Sequence, residues 1–343
     1  MIIAIHNSKN GFHPRWVDYC ERNSIPYKLV DCYDNNIIEE IKDCDALMWH
    51  FHQGNLKDNL IAKQMLFALE QSGLIVFPNF NTSWHFDDKI GQMYLLQSIE
   101  APMVSSFLFF DHQDAINWIS QTNFPKVFKL RGGAGSQNVK LIRNKFDARR
   151  IVNKAFSGGF SKYDSWGSLK ERIYKFKRGK AGVKDVLKAI VRLVYKPEYA
   201  RKSSKEVGYV YFQDFIANND SDIRIIVIAK RAFGLKRFVR DGDFRASGSG
   251  KFAYDRELFD EEAIRIAFEV NQKLGLQIGV YDFIFNEARE PLIVEVSYGY
   301  SHEAYDKCPG YWDDNLNWHT GLTIKEDWMV ELIVARINEK NSN

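Results

Sequence analysis

Two strand-like segments near the C-terminus constrain this chain more than any other feature. Residues 279–285 read GVYDFIF and residues 291–297 read PLIVEVS, each an apolar run carrying one carboxylate, Asp282 and Glu295. Their β-branched and aromatic content, with the turn-forming NEARE between them, predicts two neighbouring and largely buried strands. An uncompensated carboxylate in such a sheet costs several kcal/mol, so each must meet an arginine, a lysine or a cation. Hard oxygen ligands on adjacent strands suit Mg²⁺, which completes its shell with water and phosphate oxygens. Structural ion pairing is the competing reading.

The rest of the chain supplies a scaffold around that pair. Strand-like MIIAIHN, IPYKLVDCYD, DALMWHFHQ and LIVFPN alternate with helical spacing, which predicts a parallel α/β lobe over residues 1–82. Thr82 or Ser83 is the expected cap of the next helix, DKIGQMYLLQS. FPKVFKL and VKLI then flank a glycine loop, RGGAGSQNV, and open a central lobe over 83–205. From 206 the pattern turns strongly β, and a helical tail ends the chain. With 343 residues there is enough chain for two or three lobes.

Several classes are excluded. No apolar run approaches the ~20 residues of a bilayer span, and MIIAIHNSKNGFHP turns polar too soon for a signal peptide. Cys20, Cys32, Cys44 and Cys308 lack metal-type spacing and are too few for a disulfide scaffold, which predicts reduced thiols and a cytoplasmic setting. Nothing in the spacing of His302 and His319 supports metal binding, and His50 and His52 read as structural or substrate-lining. The net charge of +3 hides an asymmetry: residues 162–205 hold fourteen Lys and Arg against four Asp and Glu, leaving −7 for the remainder. Within that segment VKDVLKAIVRLV, 183–194, reads as a basic amphipathic helix. Docking on its own domain, contact with a membrane surface or polyanion, and a lid over phosphates are its three readings. No nucleic-acid-binding module accompanies it.

The glycine loop presents backbone N–H groups with little bulk, which suits an anion. It is neither a Walker A loop nor a dinucleotide fingerprint, because G-x-x-x-x-G-K-[ST] and GxGxxG are both absent.

Taken in order, DDKIGQMYLL, FPKVFKLRGGAGSQNV, VYFQDFI, SDIRIIVIAKRAFGLKRFVRDGDFRAS, GVYDFIF and IVEVS resemble the ATP-grasp superfamily, in particular RimK-type and glutathione-synthetase-like carboxylate–amine ligases. The likeness runs from about residue 79 to 301. It implies an α/β (α+β) fold in which a small N-terminal parallel domain precedes two lobes, 83–205 and 206–343, that clamp ATP between antiparallel sheets. It implies that Lys89 and Lys129 approach the ATP phosphates beneath a flap of Gly132, Gly133, Gly135 and Ser136. Gln213, Asp214 and the Phe215 backbone would meet adenine, and Asp222 the ribose. Arg245, with Lys236 and Arg237 as neighbours, would lie near the transferred phosphoryl group or the substrate carboxylate, while Asp282, Glu295 and Ser297 would hold Mg²⁺. The family usually reads E-x-N where this chain has Glu295-Val296-Ser297, and a hydroxyl is a poorer ligand than an amide carbonyl.

The activity so implied is ATP-dependent amide formation through an acylphosphate. The Tyr-, Trp- and His-rich stretch after Ser297 suits a sugar ring, a lid or a packed cap. The stretch also resembles the C-termini of ATP-grasp proteins found among polysaccharide-biosynthesis genes, which implies joining an amino acid or amine to a sugar acid. A kinase acting on a hydroxyl, a non-catalytic nucleotide-binding subunit and a homodimeric assembly stay open.

Overall fold

The computed structural model describes residues 1–8, 11–132, 138–161, 163–177, 179, 181–195, 201, 204–239, 245 and 250–342. It divides into two compact units. Unit one comprises Met1–Phe86, Leu95–Met103 and Asn219–Asn343; unit two comprises Asp87–Tyr94 and Val104–Asn218.

Unit one opens with β1 (Ile3–His6), α1 (His13–Arg22), β2 (Tyr27–Val30), α2 (Ile37–Glu40), β3 (Ala46–Met48), α3 (Leu56–Gln71), β4 (Ile75–Phe77) and α4 (Phe80–Ser83). The four strands are parallel in the order β2-β1-β3-β4. The alternation of strand and helix predicts this, because each crossover returns the chain to the same end of the sheet. The cap expected at Thr82 or Ser83 is displaced. Asn79 caps α4 by accepting from the Thr82 N–H, and Thr82 Oγ1 accepts instead from the Gln277 N–H at 2.8 Å. Helix α5 (Lys89–Ser98) follows, its first residues in unit two and its last in unit one.

Unit two continues with β5 (Ser106–Phe109), α6 (His112–Gln121), β6 (Lys126–Lys129), β7 (Lys140–Ile142), α7 (Lys145–Ala155), α8 (Ser165–Lys177), α9 (Val183–Val194) and β8 (Val210–Asp214). Its antiparallel sheet has the order β5-β8-β6-β7. Phe128, Val210 and Phe212 bury one sheet face in a core with Ala115 and Ile119 of α6 and Val152 of α7. Asp111 and Asn144 cap those two helices.

Unit one then resumes with β9 (Ser221–Ile228), β10 (Arg231–Phe238), β11 (Phe252–Ala253), α10 (Glu261–Lys273), β12 (Ile278–Phe285), β13 (Pro291–Ser297), β14 (Gly310–Asp313), β15 (Trp318–Thr320) and α11 (Asp327–Ser342). These strands form an antiparallel sheet ordered β13-β12-β9-β10-β14-β15, with β11 on β10. Both faces are apolar. One sends Ile226, Ile228, Phe233, Leu235 and Val280 into the core that also holds Ile3, Leu47 and Phe77 of the parallel sheet. The other sends Ile225, Val227, Tyr281 and Phe283 against Ala267 and Val270 of α10. The shared core joins residues 1–86 and 219–343 into one unit, where the sequence suggested separate domains at 1–82 and 206–343. Gly234 allows the close pairing of β9 and β10, since a Cβ there would lie 2.5 Å from the Arg224 carbonyl oxygen.

The four cysteines are buried and unpaired, as expected of reduced thiols. Tyr298, Tyr300, Tyr305 and Trp312 of the C-terminal aromatic stretch are buried as well, so these rings pack the protein's own cores and present no face to a sugar.

Candidate functional site

Strand register decides which charged side chains share a surface. In unit one Asp282 pairs with Glu295 across β12 and β13 and with Arg224 across β9. Asp222 pairs with Arg237 across β9 and β10. Directly opposed residues, and residues two apart on one strand, point to the same sheet face. Asp222, Arg224, Arg237, Asp282 and Glu295 therefore project together, at one end of the face that otherwise carries Ile226 and Val280. Ser297, opposite Val280, shares that face. A β-bulge after Asp282 shifts the pairing from Glu295 to Ile293 and leaves the carboxylate pair in register.

The group is tightly bonded. Arg224 donates from Nε and Nη2 to the Asp282 carboxylate at 2.5 and 2.7 Å. Arg237 donates from Nε and Nη2 to Asp222 at 2.6 and 2.7 Å, and its Nη2 also lies 2.7 Å from Asp282. Burial pushes the Asp282 carboxyl up, but the two guanidinium groups outweigh it and hold it well below the usual carboxylate range. For Asp222 the balance reverses: burial raises its pKa, and Arg237, shared with Asp282, offsets this only in part. Ion pairing and cation binding were rival readings of Asp282. The first is present in the structure, supplied by Arg237 and by Arg224, the latter a residue that the sequence reading did not single out.

The donor chemistry still fits a hard divalent cation. Asp282 and Glu295 offer adjacent carboxylates, and a cation there would compete with two arginines for Asp282. Ser297 adds little, since its Oγ already accepts from the Gly299 N–H at 3.3 Å. Among the described residues no group of three or more His, Cys, Asp and Glu side chains could hold a metal. A cation here needs oxygens from elsewhere, as Mg²⁺ does when it also takes phosphates.

In unit two the same alternation sorts the expected nucleotide residues. Lys129, Tyr211, Gln213 and Ser106 share the sheet face opposite the Phe128–Phe212 core. Lys129 Nζ donates to Gln213 Oε1 at 2.6 Å, while Gln213 Nε2 and Tyr211 Oη donate to Ser106 Oγ at 3.2 and 2.8 Å. Both ends of the Gln213 carboxamide are thereby fixed, and Lys129 is held almost fully buried. Lys89 is buried too, and its backbone N–H donates to the Arg131 carbonyl at 2.9 Å, which ties the start of α5 to the foot of the glycine loop. Arg131 N–H in turn donates to Tyr209 Oη. Gly132 is buried, with Asp87 about where a Cβ would reach, at 3.4 Å.

Other expected residues separate. Asp214 stands on the opposite face from Gln213 and is ion-paired with Lys126, whose ammonium lies over Phe107 and Trp118. Phe215, just beyond β8, is half-buried. Asp222 commits both oxygens to Arg237 and shows no arrangement specific to a ribose. Lys236 projects from the sheet face opposite Arg237, so these two cannot act side by side. Arg245 is half-buried between stretches outside the described residues. Gly133, Gly135 and Ser136 also lie outside them.

Residues 182–310 match a family model described as the RimK-like ATP-grasp domain. Over 291 residues the chain is 25% identical to the alpha-aminoadipate–LysW ligase LysX of Saccharolobus solfataricus, covering 83% of this chain and 89% of that one. A RimK domain ATP-grasp protein from Sphaerobacter thermophilus superposes with a TM-score of 0.58 at 11% identity, covering 97% of this chain and all of that one. D-alanine–D-alanine ligase from Bacillus anthracis, solved with ATP, superposes at 0.57 and 12% identity over 99% of both chains. The biotin carboxylase domain of Hydrogenobacter thermophilus 2-oxoglutarate carboxylase, solved as a dimer with MgADP, ADP and bicarbonate, gives 0.59 at 11% identity over 97% of this chain and 69% of that one.

Proposed function

We propose, from the premise that the chain has the ATP-grasp fold and carries a RimK-like ATP-grasp domain over residues 182–310, that it is an ATP-dependent carboxylate–amine ligase. The observation that carries this reading is the in-register carboxylate pair, Asp282 and Glu295, inside the matched domain. Further support comes from the relatives, whose names are those of ligases acting on alpha-aminoadipate and D-alanine. An amino acid is accordingly the substrate class proposed for one of the two partners. A sugar acid finds no support among these relatives, and Tyr298, Tyr300, Tyr305 and Trp312 of the stretch that suggested it are core.

In this reading a substrate carboxylate oxygen attacks the γ-phosphorus of ATP and ADP leaves, giving an acylphosphate. The amine nitrogen then adds to the acyl carbon, loses its proton, and phosphate departs. Lys89 and Lys129 neutralise phosphate charge, with Gly132, Gly133, Gly135 and Ser136 closing over it to exclude water. Gln213 and the Phe215 backbone orient adenine. Asp282 and Glu295 would hold Mg²⁺, with Ser297 a weak third ligand, and the ion would supply neutralisation of phosphate charge. Arg237 acts through Asp282 as a positioning residue, and Arg245 stabilises negative charge on the transferred phosphoryl group.

The test is ADP release with ATP and Mg²⁺ across a panel of amino acids offered singly and in pairs with other carboxylic acids. Release that requires both a carboxylate and an amine, with an amide product by mass spectrometry, is the expected result. A stable phosphorylated product formed without an amine, or tight nucleotide binding with no turnover on any pair, would overturn the ligase reading.

A further inference from the structure

The basic helix α9 docks by only a small part of its surface. It packs on α8, yet Ala189 is its one buried residue and Val186 and Leu193 are half-buried. At 100° per residue, Ile190, Val183, Val194, Leu187 and Val191 occupy one arc of about 100°, and each is between 47% and 80% exposed. A fully apolar arc left in water is unusual on a folded domain and marks a surface that something covers. Lys184, Lys188 and Arg192 border this arc on one side, all exposed, with Tyr195 among them. The partner helix adds exposed Trp166 and Phe176.

We propose that the α8–α9 hairpin lies on an anionic phospholipid surface, with the α9 arc among the acyl chains and its bordering cations at the headgroups. Three features of the segment favour that occupant. The cations are complementary to anionic headgroups, and a second copy of this strongly basic segment would meet like charge. Aliphatic residues with a Tyr and a Trp beside them match the layered polarity of a bilayer interface. With 12 residues α9 is too short to span, and no described helix is long and apolar enough to cross a membrane, so the arc can be buried only by lying flat.

Sedimentation of the whole chain with vesicles tests this, comparing phosphatidylcholine alone with about three parts phosphatidylcholine to one of phosphatidylglycerol. Three cations near the surface predict a preference for the anionic vesicles on the order of a hundredfold at low salt. The variants Leu187→Asp/Val191→Asp and Lys184→Glu/Lys188→Glu change exposed side chains only, and an unchanged melting curve checks that each folds. Both are expected to lose vesicle binding. Absence of sedimentation, equal binding to both vesicles, or unaltered binding by the Leu187→Asp/Val191→Asp variant would overturn the proposal. The last result would leave a purely electrostatic polyanion contact, and the first would leave the arc to a protein partner.

Discussion

Replacing Asp282 by asparagine separates what that side chain does for the fold from what it does for a cation. The substitution keeps the shape, so no cavity opens and the change is electrostatic. In the wild type Asp282 accepts at 2.5 Å from Arg224 and at 2.7 Å from both Arg224 and Arg237, and Arg237 also bonds Asp222. In Asp282→Asn both cations lose the carboxylate that they share. Breaking a buried pair by removing one partner costs about 3–5 kcal/mol. The lower end applies here, because the Arg224 side chain is 24% exposed and water can solvate part of its charge. A loss of about 3 kcal/mol is expected in urea unfolding at pH 7, followed by tryptophan fluorescence, with the midpoint lowered and the slope unchanged. The double variant Asp282→Asn/Arg224→Met also removes the cation left without its bidentate partner and should recover roughly 2 kcal/mol of this through coupling of neighbours. A single variant within about 1 kcal/mol of wild type, or a double variant no more stable than the single, would refute the argument.

Glu295→Gln should lower ADP formation in the ligase assay by at least about a hundredfold if the pair holds the metal, and wild-type turnover would remove that role. Buried His50, stacked on Phe12, and buried His85 are both held neutral, their pKa values lowered to about 3 chiefly by burial. Between pH 6.5 and 3 the unfolded chain binds protons that the native state refuses, so stability rises with pH by about 1.4 kcal/mol per unit for each histidine. Urea midpoints at pH 6.5, 6 and 5.5 should fall in that order, and a flat series would contradict it. Gly234→Ala should cost about 1–3 kcal/mol, because its methyl meets the Arg224 carbonyl and no flexible side chain can yield; an unchanged melting temperature would show that β9 and β10 can part without penalty.

Much of the scaffold was legible because it follows from periodicity. Strand–helix alternation at the N-terminus gave the parallel sheet, and the apolar runs around Asp282 and Glu295 gave adjacent strands. The same period of two, applied residue by residue, places Lys236 away from Arg237 and Asp214 away from Gln213; quoting a motif as a block hides this. Arg224 was readable too, lying two residues from Asp222 and hence on its face. The union of residues 1–86 with 219–343 was not readable. Strands apolar on both faces declare that two layers cover them, but not which segments supply the layers. The bulge after Asp282 leaves no composition signal, since Val294 is an ordinary strand residue.

The buried cysteines carry a practical consequence. Desolvation pushes the Cys20 and Cys308 thiols up to about 11 and raises Cys32 and Cys44 as well, so at neutral pH thiolate, the species that reacts with maleimides and peroxide, is scarce at all four. The native chain is thus a silent background for labelling. One cysteine introduced on a solvent-facing helix would accept a spin label or fluorophore selectively, and distances or polarity could be followed without first stripping the protein of its own sulfur.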